Sequence, residues 1–311
     1  MRMFFPLKML ASAVLVASGA ALAAPPNVVA SIPPIGSLVA GVMDGVSVPE
    51  TIVPAGASVH DYAMRPSHAR LLDRADVVFW IGDGFETFLE KPLGALAADA
   101  RIVALGDAQG VNALPGRTGG LWEPDEHDHE EHGDADHHGH DGHVWLDPRN
   151  AIAITDSIAE TLAAQDPANA DHYRRNANAV ITRIRALDQT LASRLSGVKS
   201  KPFIVFHDAY QYFDRRYGLN AVGAITVSPD RPPGARRIAE IKAAIAQRGA
   251  VCVFAEPQFE PRLIETLIEG TPAKSGVLDP GGSRLKPGQN LYFDLMTRLA
   301  DDLIACLGDQ S

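Results

Sequence analysis

Eleven histidines are spread unevenly along 311 residues. Six of them, His127, His129, His132, His137, His138 and His140, lie within fourteen residues. Their surroundings, residues 115 to 142, are mostly Gly, Asp, Glu and His. Imidazole and carboxylate groups together bind zinc, copper or nickel. Such a segment buries too little apolar surface to order itself, so a mobile loop is expected. Ordering it around an ion costs entropy, so the loop is expected to be a weak, accessory metal sink.

Three other histidines stand differently. His60 follows the apolar run Thr51-Ile52-Val53 and a Pro/Gly turn, and His143 precedes Val144-Trp145-Leu146-Asp147-Pro148. His207 closes Phe203-Ile204-Val205-Phe206 and is followed by Asp208. In open α/β sheets, ligands bind beyond the carboxyl ends of strands. A lone histidine more often makes a local hydrogen bond. Three at such ends, from both halves of the chain, are expected to meet in a cleft between two lobes.

The elements that position them follow from pattern. In the first half, strands are expected at 28–31, 50–53, 77–81 and 101–105, with helices at 35–43, 67–73 and 85–89. The second half repeats the scheme. Strands are expected at 203–206, 220–226, 251–255 and 275–278, and helices at 208–217, 234–248, 261–269 and 289–306. Such alternation implies an α/β fold, here two lobes that each have a parallel-rich sheet with flanking helices. Between them, Tyr173, Ala177, Val180, Ile184, Leu187, Leu191 and Leu195 recur at spacings of three and four,. Asp166 suits an N-cap, Pro167 the first helical position, and Gly197 a stop. About 30 helical residues make a rod roughly 45 Å long, a stiff link between lobes. The expected division is 25–165, 166–197 and 198–311.

Arg2 and Lys8, an apolar stretch from Met9 to Ala20, and Ala21-Leu22-Ala23 read as a signal peptide over residues 1–24,. The apolar stretch is too short for a membrane span. No cysteine follows it to carry lipid, so export to a Gram-negative periplasm is expected. The two cysteines, Cys252 and Cys306, are then expected to form a disulfide,. The chain is acidic, with a formal net charge of -10 and no basic stripe, which argues against nucleic acid as a partner,.

Several motifs in order resemble one family. Pro54-Ala55-Gly56-Ala57-Ser58-Val59-His60-Asp61-Tyr62 with Pro66-Ser67 and Ala75-Asp76-Val77-Val78 is the first, and His143-Val144-Trp145-Leu146-Asp147-Pro148 the second. Phe206-His207-Asp208-Ala209-Tyr210, Phe254-Ala255-Glu256-Pro257-Gln258-Phe259 and Leu278-Asp279-Pro280 complete the set. From about Val28 to its end the chain resembles the helical-backbone metal receptors of ABC transporters, and most closely their zinc branch. The resemblance implies His60, His143 and His207 as metal ligands, with Asp279 or water as the fourth. It places Glu256 near the metal without coordinating it. Val59 departs from relatives that carry an acidic residue at that position. The implied cargo is Zn2+, and the implied partners are an inner-membrane ABC permease and its cytoplasmic ATPase. A monomer is expected.

Three histidines and one open position also describe a catalytic zinc. No H-E-x-x-H or G-x-S-x-G motif accompanies them, so no enzyme is expected,. A manganese-type receptor of the same fold, and a metal-buffering or adhesin-like protein, remain the competing readings.

Overall fold

A computed structural model describes residues 24–122, 139–226, 229, 233–259 and 262–308. The signal-peptide reading and His127, His129, His132, His137 and His138 lie outside the described residues.

In the middle of each sheet, short and nearly continuous apolar runs become parallel strands buried on both faces, as helix-covered parallel sheets require,. The first sheet contains β1 (Val28–Ala30), β2 (Glu50–Thr51), β3 (Val77–Trp80) and β4 (Arg101–Ala104), in the order β2-β1-β3-β4. The second contains β5 (Pro202–His207), β6 (Asn220–Thr226), β7 (Cys252–Ala255) and β8 (Lys274–Val277), in the order β6-β5-β7-β8. All the pairings are parallel. The two sheets thus share one topology, with the strand order reversing at β1 and at β5. The crevice at such a reversal opens at the carboxyl ends of the strands.

Strand periodicity divides the apolar side chains. Val28, Ala30, Val77 and Phe79 face a large central core, which also takes Phe203, Val205, Cys252 and Phe254 from the second sheet. Their alternates fill smaller outer clusters. Val29, Val78 and Trp80 pack with Leu72, Leu89 and Leu93, while Ile204, Phe206 and Val253 pack with Ile241, Ile245 and Leu267.

The helices are α1 (Pro33–Val42), α2 (Pro66–Asp73), α3 (Glu90–Leu96), α4 (Pro148–Gln165), α5 (Ala170–Arg194), α6 (Gln211–Tyr217), α7 (Ala235–Arg248), α8 (Arg262–Ile268) and α9 (Leu291–Leu307). Of these, α1, α4, α5 and α9 pack on one another in the central core and fuse the halves, while α2 with α3 and α7 with α8 cover the outer faces of the two sheets. The linking helix is α5, extended by 3-10 turns at Pro167–Asn169 and Leu195–Gly197. Tyr173, Ala177, Val180, Ile184 and Leu191 form its buried face, as their spacing implies. Asp166 does not cap the backbone with its side chain. Its carboxylate instead accepts from the Tyr173 hydroxyl at 2.9 Å and from Asn169 at 2.8 Å. Both α1 and α9 pack on α5. A Cβ on Gly41 would lie 2.8 Å from Val180, so α1 crosses α5 at close range.

Three expectations need revision. The long helix α4 was not anticipated, although Asp147 caps it through the Arg149 N–H and Pro148 opens it. The helix expected at 85–89 is a 3-10 turn at Thr87–Leu89 leading into α3. There Glu86 turns its carboxylate back to the N–H groups of Ile81 and Gly82, which holds Phe85 and Glu86 out of a helix. The helix expected from Asp208 begins only at Gln211, because Asp208 is engaged by Arg117.

The ends of the 115–142 segment are held firmly, contrary to a wholly mobile loop. Arg117 donates to Asp208 at 2.7 Å and to Asp214 at 3.1 Å, and lies 3.6 Å over the Trp122 ring. Leu121 is buried against the second sheet, where only a glycine at position 223 leaves room for it. At the far end His140 bridges to Pro115, and the Asp141 N–H bonds to the Leu114 carbonyl at 2.8 Å.

Cys252 at the start of β7 is disulfide-bonded to Cys306 near the end of α9, with the Cα atoms 6.1 Å apart. The bond ties α9 to the second sheet. A closed loop of this length contributes about 4 kcal/mol in the chain-entropy account. No described helix is long and apolar enough to cross a membrane.

Candidate metal centre

His207 is the last residue of β5, at the point where the strand order of the second sheet reverses. His143 precedes the 3-10 turn Val144–Leu146 that leads to the capped start of α4. His60 sits in the loop after β2, its N–H bonded to Ser58 Oγ at 3.3 Å. One ring nitrogen from each of the three lies within 4.8 Å of the others, the only such group among the described residues. The Nε2 atoms of His143 and His207 are 3.4 Å apart. His143 is 6% exposed and His207 3%, so these nitrogens face one another and not bulk water.

Carboxylates behind the rings set this orientation. Nδ1 of His207 lies 2.6 Å from Glu256 Oε1, and Nδ1 of His143 lies 2.7 Å from Asp141 Oδ1. A carboxylate accepts, so each Nδ1 carries the hydrogen and each Nε2 presents a lone pair. The tautomers are assigned from these partners. Carboxylate–histidine pairs of this kind orient metal-ligating imidazoles and raise their basicity. Glu256 also accepts from the Tyr210 hydroxyl at 3.2 Å.

Phe85 completes the wall. Its ring meets His60 at 5.5 Å, His143 at 5.0 Å and Trp145 at 5.3 Å between centroids. A Cβ on Gly142 would lie 2.4 Å from the Phe85 ring, so the ring needs glycine there. The neighbouring Glu86 is fully buried, which pushes its carboxyl up to about 7 against the opposing hydrogen bonds from Ser31, Ile81 and Gly82. From the opposite side, Trp145 Nε1 donates to the Pro280 carbonyl at 3.0 Å and fastens the His143 turn to the C-terminal half.

The histidines do not titrate alike. Burial, followed by the charges of His207 and His143, lowers His60 well below the usual imidazole value. For His207 burial acts downward, but the charge and hydrogen bond of Glu256, aided by Asp208 and Asp141, outweigh it and raise the net value.

The other expected residues lie elsewhere. Asp279 is outside the histidine group. Its Oδ2 accepts from Ser283 Oγ at 2.8 Å, and its Oδ1 from the Gly281 N–H at 3.2 Å, so it braces its own turn. His140 is exposed at the root of the loop. Sequence reasoning passed over Phe85 and Asp141. Asp141 is one acid among many in its stretch, and only its position two residues before His143 marked it.

The family profile described as zinc-uptake complex component A, periplasmic (ZnuA), matches residues 28–306. The chain belongs to the ZnuA family. The high-affinity zinc uptake system protein ZnuA of Brucella abortus is 45% identical over 90% of this chain and 91% of its own length. The protein of the same description from Yersinia pestis is 37% identical over 96% of each. A crystal structure of ZnuA superposes with a TM-score of 0.76 at 25% identity, covering 91% of this chain and 100% of the other. The ZnuA family is one of uptake receptors and not of enzymes, and it is periplasmic.

If the carboxylates orient the rings, their neutral counterparts should bind a metal worse without unfolding the chain. Glu256→Gln and Asp141→Asn are each expected to weaken divalent-metal affinity about 10- to 100-fold in chelator competition. Unchanged affinity in both would contradict the orienting role.

Proposed function

We propose that this chain captures a zinc ion between His60, His143 and His207 and delivers it to an inner-membrane ABC permease for import. The convergence of three imidazole nitrogens within 4.8 Å carries the reading. Neutral imidazole suits zinc, whereas manganese favours a harder oxygen set. Three protein ligands leave one place of a tetrahedral shell. Both carboxylate oxygens of Asp279 are occupied in its own turn, which favours water there. Asp141 and Glu256 add two negative charges behind the rings and offset the charge of the ion. On this reading the ion lies where the two halves meet, with His60 and His143 from the first and His207 from the second. His127, His129, His132, His137, His138 and His140 serve as an accessory, weaker sink. A leader removed near residue 24 brings the chain to the periplasm.

Zinc requires a lone pair on each ring, so protons compete with it. His207 is raised above the usual 6.5, so it takes up its proton at a pH above that value. His60 is lowered and stays neutral over the same range. Affinity is therefore expected to be full at alkaline pH and to begin falling before pH 6.5 is reached. The fall should approach about tenfold per pH unit for one displaced proton. An affinity flat from pH 8 to pH 6 would contradict His207 as a ligand.

Asp141 belongs to the site, so a loop deletion must stop short of it. A variant lacking 123–138 is expected to bind one zinc tightly, in preference to manganese, and to lose the weaker equivalents. Adding His207→Ala should weaken the remaining site at least about 100-fold, as loss of one of three imidazole ligands implies. Retained tight binding in that double variant would refute the ligand set.

A further inference from the structure

The cavity beside the three histidines has one polar group left over. It measures about 50 Å3 and is lined by the 53–59 loop, Phe85, the Glu256–Phe259 turn and the Pro280–Ser283 turn. On the same scale a single water needs about 10–15 Å3, so a few fit. Most polar side chains in its wall are committed. Ser58 accepts from the His60 N–H, Ser283 donates to Asp279, and Glu256 holds His207 and Tyr210. Gln258 is the exception. Its Oε1 is buried and has no hydrogen-bond partner among the described residues. A buried acceptor left unpaired costs about 1–3 kcal/mol, which a donor from the cavity would offset.

The turn that carries Gln258 is fixed at both ends. Glu256 is bonded to His207, the Phe259 N–H closes the turn on the Glu256 carbonyl at 3.2 Å, and the Phe259 ring stacks on Phe206 at 4.5 Å. Both anchors are on β5, the strand that ends in His207. Gln258 is therefore positioned relative to the imidazole and does not wander at the surface.

Resting on the zinc reading above, we propose that Gln258 is a positioning residue for the fourth ligand, with its Oε1 accepting a hydrogen bond from a metal-bound water. Three imidazoles leave one coordination place, and a water there carries two hydrogens acidified by the ion. A carboxamide oxygen takes one of them without adding charge. It orients the water, stabilises the closed shell, and leaves the ion held by neutral ligands that can release it.

The test compares mature wild-type protein with Gln258→Leu, Gln258→Glu and His207→Ala, using zinc and cobalt(II) as probes. Leucine removes the acceptor at similar volume, whereas glutamate keeps it and adds charge. Gln258→Leu is expected to bind the first zinc equivalent about tenfold more weakly, and Gln258→Glu at least as tightly as wild type. In the cobalt form, the pH-dependent change in visible absorption reports ionisation of the bound water. Its midpoint should rise in Gln258→Glu, or the transition should vanish if the carboxylate displaces the water. Equal weakening in both Gln258 variants, wild-type affinity in Gln258→Leu, or an unmoved cobalt midpoint in Gln258→Glu would each overturn the role of Gln258. Wild-type affinity in His207→Ala would instead overturn the zinc-site reading on which it rests.

Discussion

The Nδ1–H to carboxylate hydrogen bond is the interaction on which the site turns. An imidazole can offer a lone pair from either nitrogen, and a freely rotating ring offers it in no fixed direction. Glu256 behind His207 and Asp141 behind His143 remove both freedoms, so that two Nε2 atoms approach to 3.4 Å. Unpartnered lone pairs so close repel each other. An arrangement of that kind is stable once a cation or a proton lies between them, which is why the pair reads as a cation site. It does not read as a structural hydrogen-bonding cluster.

The rest of the molecule holds those bonds in register. His207 and Glu256 sit at the ends of neighbouring strands β5 and β7, so the sheet ladder itself sets their separation. Asp141 and His143 come from the returning end of the His-rich segment. The Asp141 carbonyl accepts from the Tyr212 hydroxyl at 2.7 Å, which ties that end to α6. Arg117 does the same for the outgoing end through Asp208 and Asp214. Burial pushes the Asp214 carboxyl up to about 7 even beside Arg117, so protonation of Asp214 weakens its half of this tie. The returning end of the His-rich segment is thus tied to the histidine group: Asp141 backs His143, and Gly142 leaves room for the Phe85 ring.

Much of this was legible in the sequence, and the limits have physical reasons. All eight strands were visible: the central strands β1, β3, β5 and β7 are short apolar runs buried on both faces, and the edge strands followed from the alternation of strand and helix. The face of α5 was visible because its spacing repeats for seven positions. Helix α4 was missed, although Asp147-Pro148 announces its start, because its apolar residues are diluted by Ala and Thr. His60, His143 and His207 stood out by their places beside apolar runs, although the run after His143 is a 3-10 turn and not a strand. Asp141 and Phe85 did not, since nothing local distinguishes a carboxylate that backs a ring from one that is solvated. Either Asp279 or water was expected as the fourth ligand, and the Asp279 carboxylate here braces the Gly281–Arg284 turn. That difference depends on how a turn folds back on its first residue, which spacing alone does not encode.

The central claim concerns which atoms surround the ion. X-ray absorption at the zinc edge reads them directly in the loaded protein lacking 123–138, where zinc held by that segment is absent. The account predicts three imidazole nitrogens at about 2.0–2.1 Å and one oxygen at about 2.0–2.2 Å, with no sulfur. Fewer than three imidazoles, or a shell dominated by oxygen, would contradict it.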